Sequence, residues 1–228
     1  DNGGTIRVLT KEPDLNEIEG SVLVAASATR GGAPNASANA MINIPIVPGK
    51  LGVRGVVSYD RKGGFVDMPA INTKNGNDSD VLYGRVKLLF QPVEDLKILL
   101  SYARNRTDQG FTNRMDSIDP PQANDTGNGE TPLRYNMLTG TIEYDLGGAT
   151  LTSISGRLKQ NLGLTAFGSQ PTFGDYDITS TWRSKVFSQE LRLASNGTGV
   201  FNWVVGAYYR NAKTVSTQDF AVTIPGFL

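Results

Sequence analysis

Two-residue alternation of apolar and polar side chains, repeated in segments of about ten residues, constrains this chain more than any other feature. In Leu51–Asp60 one set reads Leu51, Val53, Gly55, Val57, Tyr59 and the other Gly52, Arg54, Val56, Ser58, Asp60. Leu82–Gln91 gives Leu82, Gly84, Val86, Leu88, Phe90 against Tyr83, Arg85, Lys87, Leu89, Gln91, and Leu96–Ala103 sets Leu96, Ile98, Leu100, Tyr102 against Lys97, Leu99, Ser101, Ala103. Successive side chains of a strand point to opposite faces, so each segment carries one apolar and one mixed face. A helix would scatter the same charges round its circumference. Nine strands are predicted, at about 20–28, 36–46, 51–61, 81–91, 96–107, 133–145, 150–162, 183–195 and 201–218. With 26 Gly in 228 residues and 19% charged residues, the composition also favours strands and turns.

The connections are unequal. Val47-Pro48-Gly49-Lys50, Pro92-Val93-Glu94-Asp95, Leu146-Gly147-Gly148-Ala149 and Asn196-Gly197-Thr198-Gly199 are short and rich in turn residues. The stretches around 62–80, 108–132 and 163–182 are long and polar. Short and long connections alternate after the third strand, which puts hairpin turns on one end of the sheet and large loops on the other. Structureless loops beyond about 12–15 residues are uncommon in compact domains unless they are functional or disordered. Short turns, long loops and ten-residue alternating strands together describe a transmembrane β-barrel. Tyr59 and Tyr102 fall near the long loops and Phe90, Tyr144 and Trp203 near the short turns, as two interfacial girdles require. Arg54, Arg85, Lys87, Lys97, Glu190 and Arg192 fall on the less apolar face. The expected fold class is all-β, an antiparallel meander forming part of a transmembrane β-barrel. A soluble antiparallel sheet with one wet face alternates in the same way over any single strand, so a soluble binding or adhesin-like surface module is the alternative.

Composition removes several functions. The chain has no His and no Cys, which excludes a Ser-His-Asp triad, a Cys nucleophile, a thiolate or imidazole zinc site and any disulfide. Lys+Arg and Asp+Glu both number 22, so the basic signature of a nucleic-acid binder is missing. No phosphate-binding loop or dinucleotide fingerprint occurs, no carboxylate pair is placed across a cleft, and no enzyme, cofactor or metal site is expected. Asn75-Gly76-Asn77-Asp78-Ser79-Asp80 offers oxygen ligands but lacks the spacing and the bidentate Glu of a calcium loop, and reads as a polar turn. Among the strand cations, Arg54, Arg85, Lys87, Arg157, Lys159 and Arg192 are expected to point inward, and Tyr83, Tyr135 and Tyr208 are candidates for stacking on a ligand. The loop from Asp108 to Pro132 carries the candidate binding residues Phe111, Arg114, Asp116 and Asp119, because mobile loops on a rigid scaffold often bind.

Several stretches resemble one family. Asn2-Gly3-Gly4-Thr5-Ile6-Arg7-Val8-Leu9-Thr10-Lys11-Glu12-Pro13 resembles the last plug strand of TonB-dependent outer-membrane receptors, where a Gly-Gly-x-Ile strand ending in Thr-Lys-x-Pro leads into the barrel. Ala40-Met41-Ile42-Asn43-Ile44-Pro45, Lys62-Gly63-Gly64-Phe65-Val66-Asp67, Ser188-Gln189-Glu190-Leu191-Arg192-Leu193 and Phe201-Asn202-Trp203-Val204-Val205-Gly206-Ala207-Tyr208-Tyr209 are similar to later parts of the same family, in its order. The resemblance implies a plug inside a barrel of about 22 strands. It also implies import of a scarce ligand, a ferric siderophore above all, or cobalamin or a carbohydrate, across the outer membrane of a Gram-negative bacterium. On this reading residues 1–19 are the last plug strand and linker, and residues 20–228 the N-terminal part of the barrel. The expected partners are outer-membrane lipid, the ligand, and the TonB complex, which would be met through parts outside this chain.

Overall fold

In the computed structural model the described residues are 9–110, 115–123, 127, 129–170, 174–197 and 201–223. They form β1 (Glu19–Ala28), β2 (Pro34–Val47), β3 (Leu51–Lys62), β4 (Ser79–Val93), β5 (Leu96–Gln109), β6 (Ser117–Ile118), β7 (Pro121–Gln122), β8 (Leu133–Asp145), β9 (Ala149–Gln170), β10 (Gly174–Ser195) and β11 (Val204–Thr223). One nine-stranded sheet runs in the order β1-β2-β3-β4-β5-β8-β9-β10-β11, while β6 and β7 make a small hairpin of their own. Each strand of the large sheet is antiparallel to its sequence neighbour. Greek-key order is absent, and no second sheet faces this one among the described residues.

Register identifies the two faces, because residues directly opposite across a ladder share one. Asn43 faces Arg54, Arg54 faces Lys87, Lys87 faces Ser101 and Ser101 faces Thr139. On the other face Leu88 meets Leu100 and Leu100 meets Gly140, while Val205 meets Leu193 and Leu193 meets Leu151. Arg85, Lys97, Glu190 and Arg192 lie on the Arg54 side, as the alternation requires. The apolar side chains of the second face have nothing over them: Val86 is 51% exposed, Leu100 46%, Leu138 50% and Leu191 46%. A water-soluble sandwich would have buried such a face against a partner layer.

The first face is covered in part by residues 9–18, which cross it as a strap. Asn43, fully buried, fixes the strap at three points. Its Oδ1 accepts the Asp14 N–H at 2.9 Å, and its Nδ2 donates to the carbonyls of Asp14 at 3.0 Å and Glu17 at 2.7 Å. The Gly49 N–H donates to the Leu15 carbonyl at 2.9 Å. Lys87 Nζ donates to the Thr10 carbonyl at 2.7 Å, Lys97 pairs with Glu12 at 2.8 Å and Arg54 with Glu19 at 2.7 Å. The strap lies so close to β3 that a Cβ on Gly52 would sit 3.0 Å from the Asp14 carbonyl oxygen. Its face is therefore the inner wall and the bare apolar face the outer one. Tyr59, Tyr102, Phe90 and Tyr144 all lie on the outer face.

Two expectations change. Residues 163–182 are not a long polar loop: β9 and β10 pair continuously from Ala149 opposite Ser195 to Gln170 opposite Gly174. Gly163, Gly168 and Gly174 there are held in the ladder by pairing that overrides their turn preference. Arg157 and Lys159 do not point inward. Arg157 opposes Leu138 and Phe187, and Lys159 opposes Asn136 and Lys185, which puts both on the outer face.

The facing makes a direct prediction for the full-length protein. Leu100→Arg puts a guanidinium in the middle of the outer apolar face and should cost about 2–4 kcal/mol of barrel stability if that face meets hydrocarbon. Lys97→Ala removes a half-exposed ion pair and should cost about 1 kcal/mol or less. Insertion into lipid vesicles, followed by heat-modifiable gel mobility, measures both; equal yields would contradict the facing.

Candidate functional site

The long connections are the only described part of the molecule with an apolar interior of their own. Between β3 and β4 the chain folds into a compact cap, in which Val66 and Met68 are fully buried together with Ala123, and Phe65 and Ile71 pack around them. Asn77 organises the cap: its Oδ1 accepts the N–H groups of Phe65 at 2.7 Å and Val66 at 2.9 Å. Asp67 Oδ1 accepts the Asn75 N–H at 3.0 Å, the Gly76 N–H donates to the Val66 carbonyl at 2.7 Å, and the Met68 N–H donates to the Thr73 carbonyl at 2.7 Å. A short 3₁₀ turn, Pro69–Ile71, closes the tip. Gly64 has φ of +75°, and a Cβ there would lie 2.3 Å from the Asn75 carbonyl oxygen, so glycine is required on both counts. The Gly63-Gly64 pair also receives the β1–β2 turn, through the Ala33 N–H to the Gly64 carbonyl at 3.0 Å.

The connection between β5 and β8 docks onto this cap. The Asp67 N–H donates to the Pro121 carbonyl at 3.0 Å and the Ala123 N–H to the Asp67 carbonyl at 2.9 Å, which seats the β6–β7 hairpin beside Val66 and Met68. The Gly110 N–H reaches the Asp78 carbonyl at 2.8 Å, and the Thr165 N–H reaches the Glu130 carbonyl at 2.8 Å, so the same connection also touches the upper part of β9. Arg134 and Arg106 both pair with Asp108 at its foot. Two loops far apart in sequence thus form one folded lid along the rim.

Of the candidate binding residues, Phe111 and Arg114 lie outside the described residues. Asp116 and Asp119 are exposed on the β6–β7 hairpin, and the Asp116 N–H donates to the Gln122 carbonyl at 2.8 Å. Their place on the docked hairpin is set by backbone bonds. Below the lid on the inner wall, Tyr83 opposes Asn105, which opposes Tyr135. The Arg85 guanidinium lies 6.0 Å from the Tyr83 ring centroid. This aromatic and cationic patch can stack on a flat ring and hold an anionic group. Tyr208 also faces inward but stands opposite Glu190, several strands away.

Asp14, Glu17 and Glu19 are the acids that come together among the described residues, with one ligand oxygen from each within 4.8 Å of the others. They have other work. Glu19 is paired with Arg54 and Lys11, and Asp14 Oδ1 accepts the N–H groups of Asn16 and Glu17, so the group anchors the strap. The polar turn Asn75–Asp80 likewise spends its Asn77 oxygen on the cap backbone.

A meander with a strap on its inner wall, a bare outer face and a folded rim has a counterpart among solved structures. The chain superposes over 95% of its length on the ferric yersiniabactin uptake receptor FyuA of Yersinia pestis, with a TM-score of 0.73 and 20% identical residues. The fold is that of a section of this uptake receptor's β-barrel. The match covers 33% of FyuA, so the chain spans about a third of the length of that receptor. No family model matches the sequence, and no curated protein is significantly similar to it. The nine strands therefore share the fold of about a third of that receptor.

Asn77→Ala should loosen the lid and leave the barrel intact. It strips the acceptor from one buried and one half-buried backbone N–H, a local loss of about 1–3 kcal/mol. Limited proteolysis should then cut within 63–78 or 110–132 much faster than in the parent, with thermal unfolding of the strands little changed. Unchanged cleavage would remove Asn77 from its organising role.

Proposed function

We propose that this chain is the part of an outer-membrane uptake receptor that combines the inner wall, the linker strap and a section of the ligand-facing rim. The intact receptor would import a scarce ligand with energy from the TonB complex, reached through parts of the protein outside this chain. A ferric siderophore is the favoured ligand, and cobalamin or a carbohydrate the other members of the class. The observation that carries this reading is the lid: two sequence-distant loops share one small core at the rim end of the strands whose inner face carries Tyr83, Arg85 and Tyr135. An aromatic and cationic patch suits an anionic, ring-bearing chelate better than a neutral polar one. The named activity of FyuA, uptake of a ferric chelate, supports the same choice. Asp116 and Asp119, exposed on the docked hairpin, belong in this proposal as residues of the capture surface, and Phe111 and Arg114 of the same connection are proposed with them.

The strap adds a mechanical element. It is tied to the wall by Asn43, Lys87 and Lys97, so a pull on anything preceding it would be resisted at β2, β4 and β5 and not passed into the lid. The test is uptake of radiolabelled iron presented on a panel of siderophores, by iron-starved cells in which the full-length receptor is the sole uptake route. One siderophore should support uptake that stops when TonB is removed. Tyr83→Ala combined with Tyr135→Ala should reduce its binding at least several-fold. Uptake that ignores TonB, or binding indifferent to both tyrosines, would contradict the proposal.

A further inference from the structure

The outward-turned cations form an ordered array. Along one row across the sheet, Arg104 opposes Asn136, Asn136 opposes Lys159, Lys159 opposes Lys185 and Lys185 opposes Lys213. In the next row towards the rim Arg106 opposes Arg134 and Asn161 opposes Arg183, while Arg157 stands one row below. Asp108 takes Arg106 and Arg134. Arg104, Arg157, Lys159, Arg183, Lys185 and Lys213 are exposed and pair with no carboxylate among the described residues. Like charges directly opposite on a sheet repel, and three lysines in successive register repel twice. The outward carboxylates of β10 and β11 next above them, Asp177 and Asp219, lie six residues further up their strands from Arg183 and Lys213, about 20 Å away. The array is thus short of anions.

Its height and its surroundings say which anion fits. Lys185 is eight residues above Leu193, near the short-turn end of the outer face, or about 27 Å along the strand. With a barrel tilt of about 35–45° that distance projects to about 19–22 Å, which places the lysine row just below the upper edge of an apolar band about 25 Å tall. Tyr102 and Phe187 lie just beneath, at the girdle. Below Arg157 the outer wall dips into a groove of about 690 Å³ lined by Ile98, Leu100, Leu138, Gly140 and Phe187, where Gly140 contributes no side chain. A cationic row above an apolar groove matches a molecule with a charged head and a hydrocarbon tail.

We propose that the outer face of β5–β11 binds phosphate-bearing lipid headgroups of the leaflet that meets the loop rim, with an acyl chain in the groove beneath Arg157. The inference rests on the membrane-barrel reading. The bound phosphates neutralise the lysine row, and the lipid becomes part of the wall that holds β8 to β11 together.

The test uses the full-length protein in nanodiscs of phosphatidylcholine doped with a diphosphorylated glycolipid or with its dephosphorylated form, and counts retained dopant by native mass spectrometry. The parent protein should keep the phosphorylated lipid in preference to the dephosphorylated one and release it as salt is raised. The combined variant Lys159→Gln, Lys185→Gln, Lys213→Gln should keep at least roughly tenfold less, since each cation near an anionic headgroup surface adds to the attraction. Arg192→Gln, on the inner wall, should retain as much as the parent. Gly140→Leu, which fills the groove and leaves the charge alone, should also lower retention, and inorganic phosphate should not bind detectably. Equal retention by the triple variant and the parent, salt-insensitive retention, or no preference for the phosphorylated dopant would overturn the proposal. Strong binding of inorganic phosphate with full retention by Gly140→Leu would overturn the lipid as occupant. A parent protein that fails to enter nanodiscs would overturn the barrel reading itself, which sets that failure apart from the others.

Discussion

A strand that borders hydrocarbon has no water to satisfy its backbone, so every N–H and C=O must be paired by the strand on either side. That requirement shapes the whole sheet. It is met here by neighbour-to-neighbour antiparallel pairing, with ladders such as β9–β10 that run unbroken from hairpin to rim. Continuous pairing fixes the register, and register decides which residue of each pair meets the outer medium. Irregular backbone is then confined to the two ends and to the inner wall. The bulged registers at Pro45/Val47 and Phe90/Val93 fit this rule, since both sit next to the short turns.

The strap and the lid show how irregular chain is tolerated where it does occur. Neither rests on a large apolar core; each satisfies its backbone with a buried amide side chain. Asn43 serves one donor and two acceptors of the strap, and Asn77 serves two donors of the lid. A carboxamide can donate and accept at once, which a hydroxyl or a carboxylate does less well at a single buried point. The glycines at 52 and 64 complete the arrangement by letting backbone approach backbone. The two devices sit at opposite ends of the same strands, so the wall between them is the element that the functional proposal asks to stay rigid.

Alternation made the strands, their order and the unequal rims legible in the sequence, because a period of two survives whatever the strand packs against. It was a weaker guide to which face is which. In β9 the outward set is Leu151, Ser153, Ser155, Arg157, Lys159, Asn161, and the inward set holds Ile154 and Leu158. By apolarity alone that strand reads backwards, and only pairing with β8 and β10 corrects it. At the headgroup level proposed for them a cation on the outer face would cost little, so Arg157 and Lys159 would carry no penalty to signal their direction. The extension of β9 and β10 through Gly163, Gly168 and Gly174 was hidden for a related reason, since the glycines report a local preference that long-range pairing overrides. The Lys62–Asp67 stretch stood out by resemblance, but its work as the hub of the lid depends on Asn77 and Ala123, which no local pattern ties to it.

On the proposed barrel the two faces of this sheet meet different media, lipid outside and water inside. Site-directed spin labelling measures it most directly, and a sequence with no Cys allows one label at a time. Labels placed singly at positions 96 to 103 of the full-length protein in lipid bilayers should alternate residue by residue. Even positions should be accessible to oxygen, and odd positions should be shielded from it and, where the strap leaves room, open to a water-soluble nickel chelate. Uniform access to the nickel chelate on both faces would contradict the account, because it would return the sheet to water.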